Sequence, residues 1–327
     1  MKFSIIVPVY NRPKEIKELL RSLNRQEFTD FEIIIVEDGS TETCKNEVEA
    51  FIKQLSINYY FIPNGGQGFA RNYGMKRAKG EYFILFDSDC IIPPEYLRKL
   101  KNAIDERSLD AHGGPDAATK DFSLIQQAIN YSMTSMLTTG GIRGKTKDHS
   151  SYQARGYNMG LSRLAFEASE GFIDPNKGED IELSIRLKKM GFKLELVEEA
   201  FVYHKRRNAL FSFFKQSFSF GQNRVNVSRY HPEAIKTVHI LPSLFLGYNI
   251  FVLLCIVLDL PYHEIFPSVL LLWFTIILVH AFLKTKSLLV AGLAVITSFG
   301  QLNAYGMGLI TEKIKAILFR SGKYTDQ

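Results

Sequence analysis

Only three cysteines occur in 327 residues, Cys44, Cys90 and Cys255, far apart and in no paired spacing. That excludes a disulfide scaffold and a cysteine-built zinc site, and it favours a reducing compartment. The two common glycine-rich phosphate cradles, GxGxxG and the Walker loop, are absent. The opening MKFSIIVPVYNRP has a short apolar run but no small-residue cleavage site, so no signal peptide is expected. What is present is 46% hydrophobic and 23% charged, which excludes a disordered or fibrous chain. At roughly 150 residues per domain, two structural units are expected.

The net charge of +6 is local. Residues 1–199 hold 27 Lys and Arg against 29 Asp and Glu. Residues 200–237 hold seven bases (Lys205, Arg206, Arg207, Lys215, Arg224, Arg229, Lys236) against Glu233 alone, and residues 238–327 hold six against four. The excess is a belt beside the most apolar part of the chain. Anionic lipid headgroups are its expected partner, at about 1 kcal/mol per charge, and nucleic acid is not expected.

Residues 240–258 carry no charge, and 265–283 carry only His280 as a titratable group. Both meet the length of about 20 apolar residues that a membrane-crossing helix needs. Residues 288–311 are uncharged but include Gln301, Asn303 and several glycines, so this segment is expected to cross, re-enter or lie at the interface. The belt and the Lys284–Lys286 loop, against a 259–264 loop without Lys or Arg, place the N-terminal domain in the cytoplasm. Lys313, Lys315, Arg320 and Lys323 would lie outside after three crossings, which favours a third segment that does not fully cross. Residues 208–230 set Phe211, Phe213, Phe214, Phe218 and Phe220 among bases, as in an amphipathic element lying in the membrane interface. The expected divisions are 1–205, 206–237 (interfacial), 238–311 (two to three spans) and 312–327 (basic tail).

The first 110 residues alternate. Apolar runs at 3–9, 32–36, 59–62 and 82–86 are separated by helical patterns at 14–23, 42–55 and 68–78. Strands that are apolar throughout, with helices between, indicate an α/β fold with a mostly parallel sheet covered on both faces. Such sheets bind ligands beyond the strand C-termini, and the polar motifs stand there: Tyr10-Asn11, Glu37-Asp38-Gly39-Ser40 and Asp87-Ser88-Asp89. The glycine-rich run Asn64 to Gly68 precedes a helix and reads as an ordinary turn or a phosphate-admitting one. Residues 138–151 are polar and glycine-rich, a connector or a loop that closes over the site.

Asp87 and Asp89 emerge at i, i+2 spacing where a buried strand ends. Carboxylates are costly to bury unpaired, and a divalent cation sharing phosphate oxygens is their natural partner. The successive segments FSIIVPVYN (3–11), IIIVEDGS (33–40), GFARNYG (68–74), GEYFILFDSD (80–89) and GEDIELSIR (178–186) resemble, in order, the motifs of family 2 glycosyltransferases. These are inverting enzymes of the GT-A (Rossmann-like) fold that use nucleotide sugars. The resemblance spans residues 1 to about 205, and the apolar C-terminal segments are similar to those of members attached to a membrane there.

The resemblance implies roles residue by residue. Pro8, Tyr10 and Asn11 match the loop beside the nucleotide base, Asp38 the acid at base or ribose, and Arg71 the basic residue of the helix beside the nucleotide. Asp87 and Ser88 would lie against the nucleotide sugar. Asp89 would be the direct ligand of Mg²⁺ or Mn²⁺, with Asp87 beside it and His204 completing the shell. Asp180 matches the catalytic base; at a helix start it also reads as a cap, with its ionised form favoured there. The implied activity moves one sugar from a nucleotide sugar, UDP by the family's commonest usage, to a lipid-linked or surface-glycan acceptor at the cytoplasmic face of the cell membrane. Gln222-Asn223-Arg224-Val225 matches the membrane-proximal signature of processive members only in part, which argues against polymer synthesis. FILFDSDC also loosely resembles the nucleophile motif of haloacid-dehalogenase phosphatases, but Cys90 and Ile91 follow where Thr or Val should stand. A third reading is a non-catalytic membrane scaffold that keeps the nucleotide-sugar fold.

Overall fold

The computed structural model describes residues 2–117, 122–139, 152–174, 176–204, 209–261 and 263–318. By its internal contacts the chain divides into two units. One is residues 1–119 with 146–205, and the other is residues 120–145 with 206–327.

The first unit opens with β1 (Phe3–Val9), α1 (Pro13–Leu23), β2 (Phe31–Asp38), α2 (Lys45–Glu49) and β3 (Ile57–Ile62). It continues with α3 (Gln67–Arg77), β4 (Tyr82–Phe86), β5 (Cys90–Ile91), α4 (Tyr96–Arg107), β6 (Ala111–Gly113) and β7 (Asp116–Ala117). The main sheet has the order β3-β2-β1-β4-β8-β6-β9, where β8 is Asn158–Ser162 and β9 is Leu194–Leu196. β1, β2, β3 and β4 run parallel, and β8 runs antiparallel to both of its neighbours. A small second sheet orders β5, β10 (Val202–His204) and β7.

Alternate strand residues fill the two faces. Phe3, Ile5, Val7, Ile33, Ile35 and Ile84 pack with Ile16, Leu19 and Leu20 of α1 and Leu97 and Leu100 of α4. On the other face Ile6, Ile34, Val36, Phe83 and Leu85 pack with Ala70 and Met75 of α3. The same cluster holds Leu183 and Leu187 of α8 (Glu179–Lys189), which follows α7 (Arg163–Ser169). The uninterrupted apolar runs reflect this two-sided burial. The helix expected over 42–55 is shorter, because Val48 is the one residue of α2 that is buried and turns follow it.

A buried polar relay crosses the sheet. The His112 ring nitrogens meet the hydroxyls of Tyr82 (3.0 Å) and Tyr96 (3.3 Å), and Tyr96 donates to Asn158 Oδ1 (2.5 Å). Burial pushes the His112 pKa down to about 3, so the ring is neutral.

The second unit is helical. α5 (Leu124–Thr134) and α6 (Met136–Thr139) come from the segment between β7 and β8. Ser123 and Gln126 form a capping box at the start of α5. α9 (Leu210–Tyr230), a 3₁₀ turn at Pro232–Ala234, α10 (Thr237–Val257), α11 (Ile265–Thr285) and α12 (Leu288–Leu318) follow. α10, α11 and α12 are each long and apolar enough to cross a membrane. α12 is one unbroken helix of 31 residues, which corrects the shorter segment read from the sequence.

α9 lies against α12 with almost no gap. A Cβ on Gly221 would strike the backbone of Tyr305 and Leu309, and one on Gly308 would strike the backbone of Phe218. Only glycine fits at such an approach. The expected aromatic face of α9 is therefore split: Phe213 is buried and the Phe214 ring covers Gly300, whereas Phe211 is exposed. The basic belt is also partly engaged within the unit. Arg224 is buried, and Arg229 bonds Glu312 at 2.7 Å; Lys215 and Lys236 remain exposed.

Candidate active site

The C-terminal ends of β1, β2 and β4 bring the sequence motifs to one edge of the main sheet. Pro8 is buried within β1 opposite Val36, and Tyr10 just beyond is half exposed. Asn11 has a left-handed backbone (φ 53°). Its Oδ1 accepts from the amides of Thr41 and Glu42, both at 2.9 Å, and its own N–H donates to Ser40 Oγ at 2.8 Å. Asn11 thus ties the β1 loop to the β2 loop.

Two acids end β2. Glu37 is fully buried and accepts from the Ser40 hydroxyl, from the Cys44 amide and thiol (both 2.9 Å) and from Tyr59 (3.1 Å). Burial first, then this carboxylate, push the Cys44 and Tyr59 pKa values up. Asp38 accepts from the amides of Gly65 and Gly66, one on each oxygen, both at 2.8 Å. Asp38 therefore shapes the 64–68 run. That run is built for glycine, since Gly66 has φ 101° and lies beneath the Asn176 side chain.

Arg71 of α3 is 1% exposed and sits between two acids. It donates to Asp87 Oδ1 at 2.6 Å and to Glu179 Oε1 at 3.2 Å, while its Nε has no partner. Glu179 also accepts from Gln67 at 2.9 Å. Beside Glu179, Asp180 accepts from the Gly156 amide (3.2 Å) and the Ile181 amide (2.8 Å) at the start of α8, where Gly178 is the N-cap. Burial, and then the Asp180 charge, raise the Glu179 carboxyl to about 7 despite Arg71. Three carboxylates thus face one guanidinium. Asp89 is bonded by Arg12 at 2.7 Å, and Ser88 between the two aspartates is buried.

Sequence reasoning did not find Arg12, Gln67, Glu179 as an arginine partner, or the α3 contacts that hold the 171–179 segment. Asn72 pairs with the Phe172 backbone through both amide atoms (2.8 and 3.0 Å), and Asn176 donates to the Gly65 carbonyl (2.7 Å). These bonds join residues about a hundred positions apart, and no local pattern announces them.

Of the expected metal ligands, Asp87 and Asp89 lie two residues apart where β4 ends. The His204 side chain lies outside the described residues; its backbone pairs in register with Cys90, the residue after Asp89. Among the described residues no group of three or more His, Cys, Asp or Glu is gathered tightly enough to hold an ion by itself. A hard divalent cation needs only one or two protein carboxylates when phosphate oxygens supply the rest. The acid surplus around Arg71 fits such a cation. The expected closing loop lies outside the described residues from 140 to 151.

Residues 4–168 match the family Glycosyl transferase family 2. A poly(ribitol-phosphate) beta-N-acetylglucosaminyltransferase, TarS, of Staphylococcus aureus is 41% identical over 114 residues, 34% of this chain and 20% of that one. GlyG of Streptococcus pneumoniae, a glycosyltransferase, is 34% identical over 109 residues, 33% of this chain and 36% of that one. The chain therefore spans a fifth to about a third of the length of these relatives. Among solved structures, S. aureus TarS 1–349 with UDP-GlcNAc superposes with a TM-score of 0.51 at 23% identity, covering 70% of this chain and 67% of that one. The mannosyltransferase PcManGT of Pyrobaculum calidifontis, solved with GDP-Man and Mn²⁺, gives 0.61 at 16% identity, covering 98% and 88%. At these identities the superpositions establish the GT-A fold. The family match spans half of the chain, and on it the chain belongs to the family 2 glycosyltransferases.

Proposed function

We propose that the protein transfers one sugar from a nucleotide sugar to a lipid-linked or surface-glycan hydroxyl at the cytoplasmic face of a membrane, inverting the anomeric centre. The observation that carries this reading is that Arg71 bonds both Asp87, where β4 ends, and Glu179, the residue beside Asp180 at the start of α8. UDP is the proposed carrier. Asp89, Asp87 and His204 would hold Mg²⁺ or Mn²⁺, which when bound stabilises the negative charge growing on the leaving diphosphate. Tyr10, Asn11 and Asp38 would form the wall beside the base and ribose, Asp38 by fixing the Gly65–Gly66 backbone. Ser88 and Arg71 would lie against the nucleotide sugar.

In the reaction the acceptor oxygen attacks the anomeric carbon while the bond to the diphosphate oxygen breaks and its electron pair leaves with the diphosphate. The acceptor proton passes to the Asp180 carboxylate. A hydroxyl has too high a pKa to ionise unaided, so such a base contributes typically about 10²–10⁴-fold. No side chain attacks the sugar, and a single displacement inverts its configuration. Membership of this family replaces the phosphatase reading of FILFDSDC.

Membranes carrying the protein, incubated with labelled UDP-sugars and Mn²⁺, should release UDP and label a lipid or glycan fraction. If no sugar from a broad nucleotide-sugar panel is transferred or hydrolysed, the enzymatic reading falls and the scaffold reading stands.

A further inference from the structure

α12 has the composition of a third membrane span. Along the α10–α11 pair, however, its contacts start at the end that holds Ala281, reach about the middle at Phe274 and Asn249, and return to Pro242. α10 and α11 run antiparallel, with Phe251 against Phe266 (4.9 Å) and Phe245 against Trp273 (5.0 Å). From Trp273 to Ala281 is about 12 Å at 1.5 Å per residue. Ala281 near the end of α11 is therefore level with the start of α10.

Val290, Ala291 and Ala294, near the start of α12, cluster with Ile277 and Ala281 at that end. Further along, Phe299 meets Phe245 (5.9 Å), Asn303 bonds Asn249 (2.9 Å), and a Cβ on Gly306 would stand 2.5 Å from the Pro242 carbonyl. Glu312 then bonds Arg229, eight residues before Thr237. The helix thus leaves the level of Ala281 and ends beside the residues that lead into α10. Val290 to Glu312 spans about 33 Å, as much as the whole hydrocarbon core of about 30 Å. A spanning α12 would carry Glu312 to the far end of the hairpin, near residues 258–264, and it does not.

We infer that α12 does not cross the membrane but lies across the base of a two-helix hairpin, in the interface of the leaflet that α10 enters. α5 and α9 belong to the same layer. Tyr131 bonds His280 near the end of α11 (2.7 Å), Ser132 bonds Thr297 and Ser298 (2.6 and 3.0 Å), and α9 runs against the second half of α12. The occupant of the outer face is an anionic lipid surface. Ile296, Met307, Ile310, Ile314 and Ile317 form an exposed apolar stripe along α12, with Lys313 and Lys315 exposed beside it. That is the composition of a helix seated at the boundary of headgroups and acyl chains. The arrangement returns the end of α12, with Lys313 and Lys315, to the side from which α10 starts. It also removes the charge conflict that three crossings create.

The test is side-specific labelling of the full chain with a membrane-impermeant maleimide, in sealed vesicles of both orientations. Glu264→Cys, Lys284→Cys and Lys323→Cys are compared. Cys44, Cys90 and Cys255 are buried, so the unsubstituted chain sets the background. Positions 284 and 323 should label from one side and position 264 from the other. Labelling of 323 from the same side as 264 would make α12 a third span and overturn the inference.

Discussion

In the first unit five acids, Asp38, Asp87, Asp89, Glu179 and Asp180, meet at one edge of the sheet, where two arginines, Arg71 and Arg12, bond Asp87, Glu179 and Asp89. In the second unit several polar side chains pair across helices with no net charge: Ser132 with Thr297, Asn249 with Asn303, Arg229 with Glu312. The first arrangement keeps an excess of one charge beside a strand-end opening, which is costly unless a ligand completes it. The second is balanced in charge and joins helices where water is scarce. A surplus marks a binding site, and a balance marks assembly.

The comparison breaks most visibly at Arg71. Arg71→Met leaves Asp87 and Glu179 without their cation, and losing one partner of a buried pair costs about 3–5 kcal/mol. Thermal unfolding of the detergent-solubilised protein should show a large drop in Tm, and Glu179→Gln added to Arg71→Met should recover part of it. An unchanged Tm would mean that the acids carry no surplus. Asp89→Asn comes next. A charged hydrogen bond or ligand contact contributes about 1.5–3 kcal/mol, so Mn²⁺-dependent UDP binding by calorimetry should weaken roughly ten- to a hundredfold while the fold persists.

For the second unit the sharper variant is Gly308→Ala, which forces a methyl group onto the Phe218 backbone. Overpacking costs about 1–3 kcal/mol, and the loss should appear as aggregation in detergent, with UDP binding per folded molecule unchanged. A separate test of the first unit is pH. The folded His112 titrates near 3 and the unfolded ring near 6.5, so the unfolded chain binds the extra proton between those values. Stability from this group is complete above pH 6.5 and falls as pH drops toward 3. His112→Gln should flatten Tm against pH between 6.5 and 4.

Much of the first unit was legible because its strands are buried on both faces. β1, β2 and β4 read as apolar runs, and Asn11, Asp38, Asp87 and Asp89 stand where those runs stop. The edge at which they gather follows from strand order. What joins them was not legible: Arg12 to Asp89 spans 77 positions and Arg71 to Glu179 spans 108, and only the folded sheet sets those distances. The grouping of residues 120–145 with the helical unit had an unread signal, since residues 122–142 carry no charge. The place of α12 was beyond any hydropathy reading. Composition reports whether a helix suits lipid, and its partners decide whether it stands or lies in it.

The account rests on Asp180 acting as a base beside a site that binds the donor independently of it. Donor binding and sugar transfer, measured on the same preparation of Asp180→Asn, separate the two roles. The account predicts UDP-sugar binding within about twofold of the unsubstituted protein and transfer reduced by at least about a hundredfold. Transfer at the unsubstituted rate, with binding intact, would contradict it.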